Sequence, residues 1–210
     1  MKIFFFSLKL VKKKESIIKY YKKQSGFYDI TRPLFLFGRS VIVKWIAETN
    51  PKGTLLEIGC GTGHILKTLA RHTDYTLTGI DLSPDMLEIA KRKLPNEIEI
   101  YQTDLSEYSP DEKYDAVLLS YVFTLDFSQI EAHIKKVKQL LKPNGRIYVL
   151  DFHRYGSTLY KRYMNWHGIE MGEELLTLLE SEFTTERKSI RKAYGGVWEY
   201  FIYEGINVRD

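Results

Sequence analysis

Residues 54–63 read TLLEIGCGTG, an apolar run that leads directly into three glycines at alternate positions. The run Thr54–Ile58 is typical of a buried strand, and His64–Arg71 after the glycines has the apolar spacing of a helix. Glycine lets the backbone reverse sharply, and its missing Cβ lets a ligand approach the main chain. The stretch therefore predicts a ligand-binding turn between a strand and a helix, whose first N–H groups favour an anion.

The rest of the chain repeats this alternation of strand and helix. The remaining predicted strands are Tyr75–Ile80, Ile98–Gln102, Tyr114–Ser120 and Arg146–Phe152, and the predicted helices are Ser40–Thr49, Pro84 to about Leu94, and Phe127–Leu141. Continuous apolar strands are typical of a parallel sheet that is buried on both faces. Near the C-terminus, Gly195-Gly196 separates the strand-like runs Thr184–Tyr194 and Val197–Ile206, which predicts a hairpin. We expect an α/β fold with a doubly wound, mostly parallel seven-stranded sheet and an antiparallel C-terminal hairpin at one edge.

Two common phosphate-binding motifs do not fit the glycine stretch. The dinucleotide fingerprint G-x-G-x-x-G/A needs a small residue at the position where His64 stands. A Walker loop needs a Gly-Lys-Ser/Thr sequence, which does not follow at the required spacing.

Five stretches resemble, in order, the motifs of the Rossmann-like, S-adenosylmethionine-dependent methyltransferases. They are LLEIGCGTG at 55–63, GIDLSPDML at 79–87, QTDL at 102–105, YDAV at 114–117 and LLKPNGR at 140–146. The resemblance covers roughly residues 50–152 in register. It implies an enzyme that uses S-adenosylmethionine as its cofactor, in a domain spanning residues 51–210, with residues 1–50 as a basic and aromatic helical cap.

The resemblance implies where the methionine portion of the cofactor would lie. Gly59, Gly61 and Gly63 would face it, because its carboxylate suits backbone N–H donors. Glu57 would orient the turn or meet the methionine amine. A purely structural role for Glu57 stays open.

The nucleoside would lie across the ends of the next strands. Asp81, followed by Leu82, would accept from both ribose hydroxyls, although it could instead cap the helix behind it. Asp104 would accept from the adenine amino group, or be an ordinary loop acid, and Leu105 would offer its backbone and an apolar edge. Ser120 would lie beside the methyl donor.

Methyl transfer from a sulfonium requires alignment and desolvation more than a dedicated catalytic triad. Tyr28, Tyr121 or His153 could take a proton from the acceptor or place it, and water could do so as well. No metal site is predicted, since the histidines do not form a ligand spacing with Cys60.

The acceptor is predicted from a second, shorter resemblance. Residues 25–32, residues 35–39 and the tail at 195–200 are similar to stretches of bacterial phospholipid and betaine-lipid N-methyltransferases. This implies a lipid head-group amine as acceptor. Arg32 or Arg39 could meet a phosphate or carboxylate of that head group, or could instead pair with a helix end or a surface acid. Quinone-precursor C-methylation and small-molecule O-methylation remain alternatives, as do an RNA-modifying enzyme and a non-catalytic cofactor-binding regulator.

The charge distribution bears on which partners the protein binds and on where in the cell it acts. The net charge is only +4, which argues against a dedicated nucleic-acid binder, but eight lysines crowd the first 23 residues beside Phe4–Phe6. This lysine-rich arm predicts a peripheral contact with an anionic membrane, or else a solvated basic arm. The single cysteine, Cys60, allows no internal disulfide. A cytoplasmic protein at the inner membrane surface is therefore expected.

Overall fold

A computed structural model describes residues 36–49, 52–125, 129–166 and 171–208. The helices are α1 (Arg39–Glu48), α2 (His64–His72), α3 (Pro84–Lys93), α4 (Ile130–Leu140), α5 (Thr158–Trp166) and α6 (Glu174–Glu182), with a 3₁₀ turn at Phe123–Leu125. The strands are β1 (Lys52–Ile58), β2 (Asp74–Asp81), β3 (Glu99–Gln102), β4 (Tyr114–Ser120), β5 (Leu141–Tyr155), β6 (Thr184–Ala193) and β7 (Trp198–Ile206). No helix within these ranges is both long enough and apolar enough to cross a bilayer.

The seven strands form one sheet in the order β3-β2-β1-β4-β5-β7-β6. The first five are parallel, whereas β7 runs antiparallel to both β5 and β6. The predicted fold class, including the antiparallel hairpin at one edge, is confirmed. The strand order reverses between β1 and β4, so the carboxyl ends of these two strands flank the crevice where ligands bind in open α/β sheets.

Helices cover both faces of the sheet, which explains the continuous apolar strands. Side chains of α1, α2, α3 and α5 pack into one core cluster, on the first face. Side chains of α4 and α6 pack into a second cluster, on the second face. The run from Ala116 to Leu119 in β4 contributes alternately to the two clusters and is fully buried. α1 shares the first cluster with the strands, and the predicted boundary near residue 50 stays a prediction.

Some predicted boundaries differ from the structure. The sequence predicts no element between Phe152 and Thr184, yet β5 continues to Tyr155 and is followed by α5 and α6. Val197 was expected to begin the last strand, but Tyr194–Val197 form a four-residue turn instead of a two-residue link. The lysine-rich arm, residues 25–32 and Tyr28 lie outside the described residues.

A buried acid joins the hairpin to the rest of the molecule at the amino end of β5. Glu204 is 1% exposed and accepts hydrogen bonds from Arg146 Nη1 at 2.6 Å and Arg187 Nε at 2.7 Å. Arg187 also donates to Glu48 at 2.9 Å and to the carbonyl of Trp45 at 3.0 Å. Its guanidinium lies 4.7 Å from the centre of the Trp45 ring. This network connects β5, β6 and β7 to α1.

Replacing Glu204 with glutamine should lower the free energy of unfolding by about 2 kcal/mol, because one buried acceptor of two arginines loses its charge. Urea denaturation measures the change. Glu186→Gln is the matched control. Glu186 also faces Arg146, but it is exposed and its ion pair with Arg146 is long, at 3.9 Å. Equal stability of the two variants would show that the buried network contributes nothing.

Candidate active site

The glycine turn is tied to the end of β2 by its own backbone. The N–H groups of Gly59 and Cys60 both donate to the carbonyl of Ile80, at 2.8 and 3.0 Å. The N–H of Gly61, whose φ is 53°, donates to Asp81 Oδ2 at 2.8 Å. The structure thus brings the predicted turn and the predicted ribose acid into direct contact.

Two of these glycines also leave no room for a side chain. A Cβ on Gly59, whose φ is 69°, would lie 2.6 Å from a methyl group of Val122. A Cβ on Gly63, which precedes α2 with a φ of 74°, would lie 2.9 Å from Leu94. Both positions combine a left-handed backbone with close packing, and both conditions require glycine.

Asp81 orders the segment behind it as well as the turn in front of it. Its Oδ1 accepts from the N–H of Ser83 at 2.8 Å, while Ser83 itself caps α3 through Met86 N at 3.4 Å. The N-cap of α3 is Ser83, so the structure gives no support to the alternative that Asp81 caps this helix. Burial raises the pKa of Asp81, and backbone hydrogen bonds from Ser83 and Gly61 oppose that rise. Ribose binding by Asp81, next to the half-buried Leu82, stays a prediction.

The residues predicted to hold the adenine follow β3. Asp104 Oδ1 accepts from the backbone N–H of Ser106 at 2.8 Å and from its hydroxyl. Leu105 is buried in the second core cluster. The N–H of Thr103 donates to the carbonyl of Asp81 at 3.1 Å, so the ends of β2 and β3 adjoin. This placement is compatible with adenine contacts, which remain predicted.

Three polar side chains beneath the turn have buried atoms with no hydrogen-bond partner in the described part of the chain. They are Glu57 Oε2, Arg39 Nε and Ser120 Oγ. Glu57 aligns with Leu118 of β4, and alternate residues of a strand share a face, so Glu57 and Ser120 both face the first core cluster. Arg39 begins α1 on that face, and its charge acts on Glu57. Sequence spacing gave no sign that Arg39 and Glu57 are neighbours.

Burial has a large effect on Glu57, which is 2% exposed. Desolvation raises its pKa to about 8, although the nearby Arg39 and a backbone hydrogen bond at Leu66 act in the opposite direction. The carboxyl is therefore largely protonated at neutral pH when no ligand is bound. A cation placed beside it would favour its ionised form.

We expect the free energy of unfolding to fall as pH rises from 4.5 to 8. In this window the folded chain keeps a proton on Glu57 that the unfolded chain has released. Glu57→Gln should flatten this part of the profile, measured by urea denaturation at a series of pH values. The control is Glu97→Gln at an exposed position. A Glu57→Gln profile as steep as that of the control would contradict the raised pKa.

Tyr121, at the carboxyl end of β4, has a left-handed φ of 59°. Its hydroxyl donates to the carbonyl of Phe37 at 2.8 Å, and its ring centre lies 4.6 Å from that of Phe152. Burial raises the pKa of Tyr121 well above its usual range. The hydroxyl therefore stays protonated at neutral pH, which fits a positioning role better than that of a base.

His153 is buried on the other side of the sheet. Its ring centre lies 6.1 Å from that of Phe201, which belongs to the second core cluster, whereas Tyr121 and Phe152 belong to the first. Burial lowers the pKa of His153, so its imidazole is neutral at pH 7. The structure does not bring Tyr121 and His153, two of the predicted catalytic side chains, together on one face.

Aromatic rings line the first face where β4, β5 and β7 meet. Tyr160 and Trp198 stack with ring centres 4.9 Å apart and planes at 11°. Phe37 lies 6.0 Å from Trp198 and 6.1 Å from Tyr200. We call this group the aromatic cluster; its members are Phe37, Tyr121, Phe152, Tyr160, Trp198 and Tyr200.

Asp151 fixes the loop between the aromatic cluster and the glycine turn, a role that the sequence did not suggest. Its carboxylate is fully buried and accepts from Phe123 N at 2.9 Å, Thr124 Oγ1 at 2.7 Å and Phe152 N at 2.8 Å. Burial raises the pKa of Asp151 to about 6. The one available signal was an acid that interrupts the apolar end of a predicted strand.

Within the described ranges, no three His, Cys, Asp or Glu side chains form a metal-binding group.

Comparisons with known proteins place this geometry in a family. A family model described as a methyltransferase domain matches residues 55–145. The methyltransferase YodH of Bacillus subtilis, itself uncharacterized, is 31% identical over 181 residues, covering 71% of this chain and 74% of YodH. The chain belongs to the class I S-adenosylmethionine-dependent methyltransferases.

Two further comparisons refine and limit this assignment. The demethylmenaquinone methyltransferase of Tropheryma whipplei is 31% identical to this methyltransferase over 161 residues, covering 71% of this chain and 66% of the relative. Magnesium protoporphyrin IX methyltransferase from Synechocystis shares the fold, with a TM-score of 0.72 at 18% identity, covering 93% and 99% of the two chains. The chain spans only 59% to 66% of the length of the first curated relatives that it matches. The predicted family is confirmed, but the lipid N-methyltransferase branch is not, because these relatives are named for quinones.

Proposed function

We propose that this methyltransferase transfers a methyl group to a ring carbon of a reduced quinone precursor. The observation that carries the proposal is the aromatic cluster, which lies on the same face of the sheet as the glycine turn, towards the carboxyl ends of β4 and β5. Relatives named for demethylmenaquinone and for ubiquinone/menaquinone biosynthesis, at 31% and 30% identity, support it. They favour the C-methylation alternative over the lipid amine predicted from the sequence.

The cofactor would lie across the turn, and the polar atoms without partners fit its amino-acid end. S-adenosylmethionine supplies an electrophilic methyl group on a sulfonium when it is bound. The carboxyl of Glu57 suits an ammonium, and the guanidinium of Arg39 suits a carboxylate. Asp81, at the end of β2, suits a pair of ribose hydroxyls. Buried polar atoms rarely stay unpaired in native proteins, so a ligand that pairs them is expected.

The acceptor would lie against the aromatic cluster. Aromatic side chains favour contact with a planar aromatic ring, and Tyr160 is the partly exposed member of the stacked pair, since Trp198 is only 2% exposed. The Ser120 hydroxyl is at the tip of β4, where it can bond an oxygen of the acceptor. The acceptor carbon gains the methyl group as the bond between that methyl group and the sulfonium sulfur breaks, and the carbon releases its proton to water. Holding both reactants in line can supply about 7–11 kcal/mol of the barrier reduction, so placement is the main task of these side chains.

An amine acceptor is the second candidate, because the faces of aromatic rings also attract cations. A lipid head-group amine, as the sequence predicts, would meet the same cluster. The two candidates differ in the bond formed, C–C or C–N, and a product analysis can distinguish them.

The test is an acceptor panel with the full-length protein and S-adenosylmethionine labelled in its methyl group. The panel contains a reduced demethylnaphthoquinone with a short side chain, phosphatidylethanolamine, a catechol and a transfer RNA. We expect label on the naphthohydroquinone, as a carbon-bound methyl group identified by mass spectrometry. Label on phosphatidylethanolamine alone would overturn the proposal in favour of the amine.

A variant pair tests the aromatic cluster itself. Trp198→Leu should lower kcat/KM for the naphthohydroquinone by at least about tenfold and leave the cofactor Kd unchanged, because one stacked ring is lost. Tyr101→Leu is the control, since Tyr101 is an exposed aromatic on β3, far along the sheet. Equal kcat/KM values in the two variants would show that the acceptor does not bind at this cluster.

A further inference from the structure

The surface beside the aromatic cluster is unusually apolar. Four of the six large apolar side chains exposed in the described part of the chain lie on α5 or on the β6–β7 hairpin. Tyr194 and Val197 lie in the hairpin turn and are 54% and 37% exposed. Leu159, which is 80% exposed, precedes Tyr160, whose ring stacks on Trp198 at the start of β7. Clusters of exposed apolar side chains are uncommon on monomeric proteins, and they typically mark an interaction surface.

Contacts link the segment at Gly156 and the start of α5 to the hairpin. The N–H of Gly156 donates to the carbonyl of Val197 at 2.9 Å, and a side chain at Gly156 would collide with the carbonyl of Gly196. The stack of Tyr160 on Trp198 fixes the start of α5 against β7. We name the group Leu159, Tyr194 and Val197 the apolar tip.

Positive charge accompanies the apolar tip, and acids are absent from the same stretches of sequence. Neither residues 155–166 nor residues 187–198 contain an Asp or Glu. Lys161, Arg162, Arg191 and Lys192 are exposed and form no ion pair with any part of the chain that the structure describes. Neighbouring cations are paired: Arg154 of β5 with Glu199, and Lys188 of β6 with Glu180. Lys161 Nζ lies 5.8 Å from the centre of the Tyr155 ring, and Lys192 aligns with Glu199, which is paired with Arg154. The four positive charges have no ionic partner among the described residues, which suits an anionic partner.

The position of the tip relates it to the proposed acceptor site. Tyr155 at the end of β5 pairs with Trp198, and so does Ala193 at the end of β6. The hairpin turn thus lies at the carboxyl end of β5. Because β4 and β5 are parallel, the carboxyl end of β4 is at the same edge of the sheet, and so is the glycine turn. An acceptor that reaches the aromatic cluster from this side passes the apolar tip.

We propose that the apolar tip and its four cations dock this methyltransferase on an anionic lipid bilayer. Tyr194, Leu159 and Val197 would enter the interface, while Lys161, Arg162, Arg191 and Lys192 would meet lipid phosphates. A bilayer fits better than an RNA or an acidic protein because the exposed side chains of α5 and the hairpin are apolar as well as cationic. That a membrane-dissolved acceptor enters here rests on the proposed function, whereas the docking itself does not.

Co-sedimentation with vesicles tests the charges. The full-length protein should bind phosphatidylglycerol vesicles and bind phosphatidylcholine vesicles weakly. Lys161→Glu/Arg162→Glu should weaken binding to the anionic vesicles by at least about tenfold. Lys91→Glu/Lys135→Glu carries the same charge change at exposed sites elsewhere and should bind nearly as wild type does. An equal loss in both variants, or tighter binding to single-stranded RNA than to anionic vesicles, would overturn the proposal.

A second variant pair tests the apolar contribution without changing charge. Leu159→Ser should reduce vesicle binding severalfold, whereas Val208→Ser, at an exposed site beyond the end of β7, should not. Circular dichroism and the cofactor Kd establish that both variants are folded. Unchanged vesicle binding by a folded Leu159→Ser protein would show that the apolar tip does not enter the bilayer interface.

Turnover separates this inference from the proposed function. With a short-chain naphthohydroquinone in solution, Lys161→Glu/Arg162→Glu should keep its activity. With a long-chain naphthohydroquinone dissolved in anionic vesicles, its rate should fall by about tenfold. If neither quinol is methylated, the proposed function fails while the vesicle experiments still decide the docking. If both rates fall equally, the tip acts within the acceptor site and delivery from the bilayer is wrong.

Discussion

Gly59→Ala should lower the free energy of unfolding by about 3 kcal/mol and weaken cofactor binding by at least about tenfold. Two costs combine at this position. A left-handed φ of 69° strains a residue that has a Cβ, by about 1–2 kcal/mol, and the new methyl group lies 2.6 Å from Val122. Overpacking of that kind costs about 1–3 kcal/mol and displaces the turn that is predicted to face the cofactor. Urea denaturation and titration calorimetry measure the two effects.

The protein contains a matched control for the backbone strain. Gly195 has nearly the same φ, 68°, but a Cβ there has nothing within 4 Å. Gly195→Ala should therefore show the strain alone, about 1 kcal/mol, with cofactor binding unchanged. Val122→Ala in the Gly59→Ala background should recover part of the loss by removing the obstructing methyl group. If Gly59→Ala costs no more than Gly195→Ala, the close packing of the turn is not essential.

Asp81→Asn should weaken cofactor binding by about 100-fold. The carboxylate is the predicted acceptor for two ribose hydroxyls, and hydrogen bonds to a charged group contribute about 1.5–3 kcal/mol each. The substitution also places an amide group where both oxygens now accept backbone N–H groups, from Gly61 and Ser83. Calorimetry gives the cofactor Kd, and denaturation reports any loss of stability.

Asp115→Asn is the matched control for Asp81. Asp115 lies on the same sheet and also accepts a backbone hydrogen bond, from Thr54 N at 2.8 Å, but at the opposite end of β1. We expect its replacement to affect stability and not cofactor affinity. Equal cofactor Kd values for the two variants would contradict the ribose assignment.

The fold was predictable because its main signals are local. The fully apolar run in β4 predicts a strand that is buried on both faces, and Ser83-Pro84 predicts the start of α3; both are observed. α5 and α6 were missed because their sequences have mixed polarity and lie between better-marked strands. The turn at Tyr194–Val197 was placed within two residues, since Gly195-Gly196 marks its centre and hydrogen bonds set its ends.

The site was predictable only where one short stretch determines it. The glycine turn and the acid at the end of β2 are in contact, as expected from their positions at adjacent strand ends. Arg39 lies near Glu57 only because α1 packs on α2 and β5, in the core cluster that β1 also joins, which no local pattern reveals. The separation of His153 from Tyr121 likewise depends on which face of the sheet each side chain occupies. Local sequence specifies strand ends well, but side-chain partnership across elements depends on tertiary packing.

The arginine that joins Glu204, Glu48 and Trp45 limits how this enzyme can be re-engineered. Arg187 belongs to the same hairpin that supplies Trp198 and Tyr200, while its partners Glu48 and Trp45 belong to the helix that begins with Arg39. Grafting the hairpin of another enzyme to alter acceptor choice would leave this helix without its clamp. A successful chimera would therefore exchange both segments together.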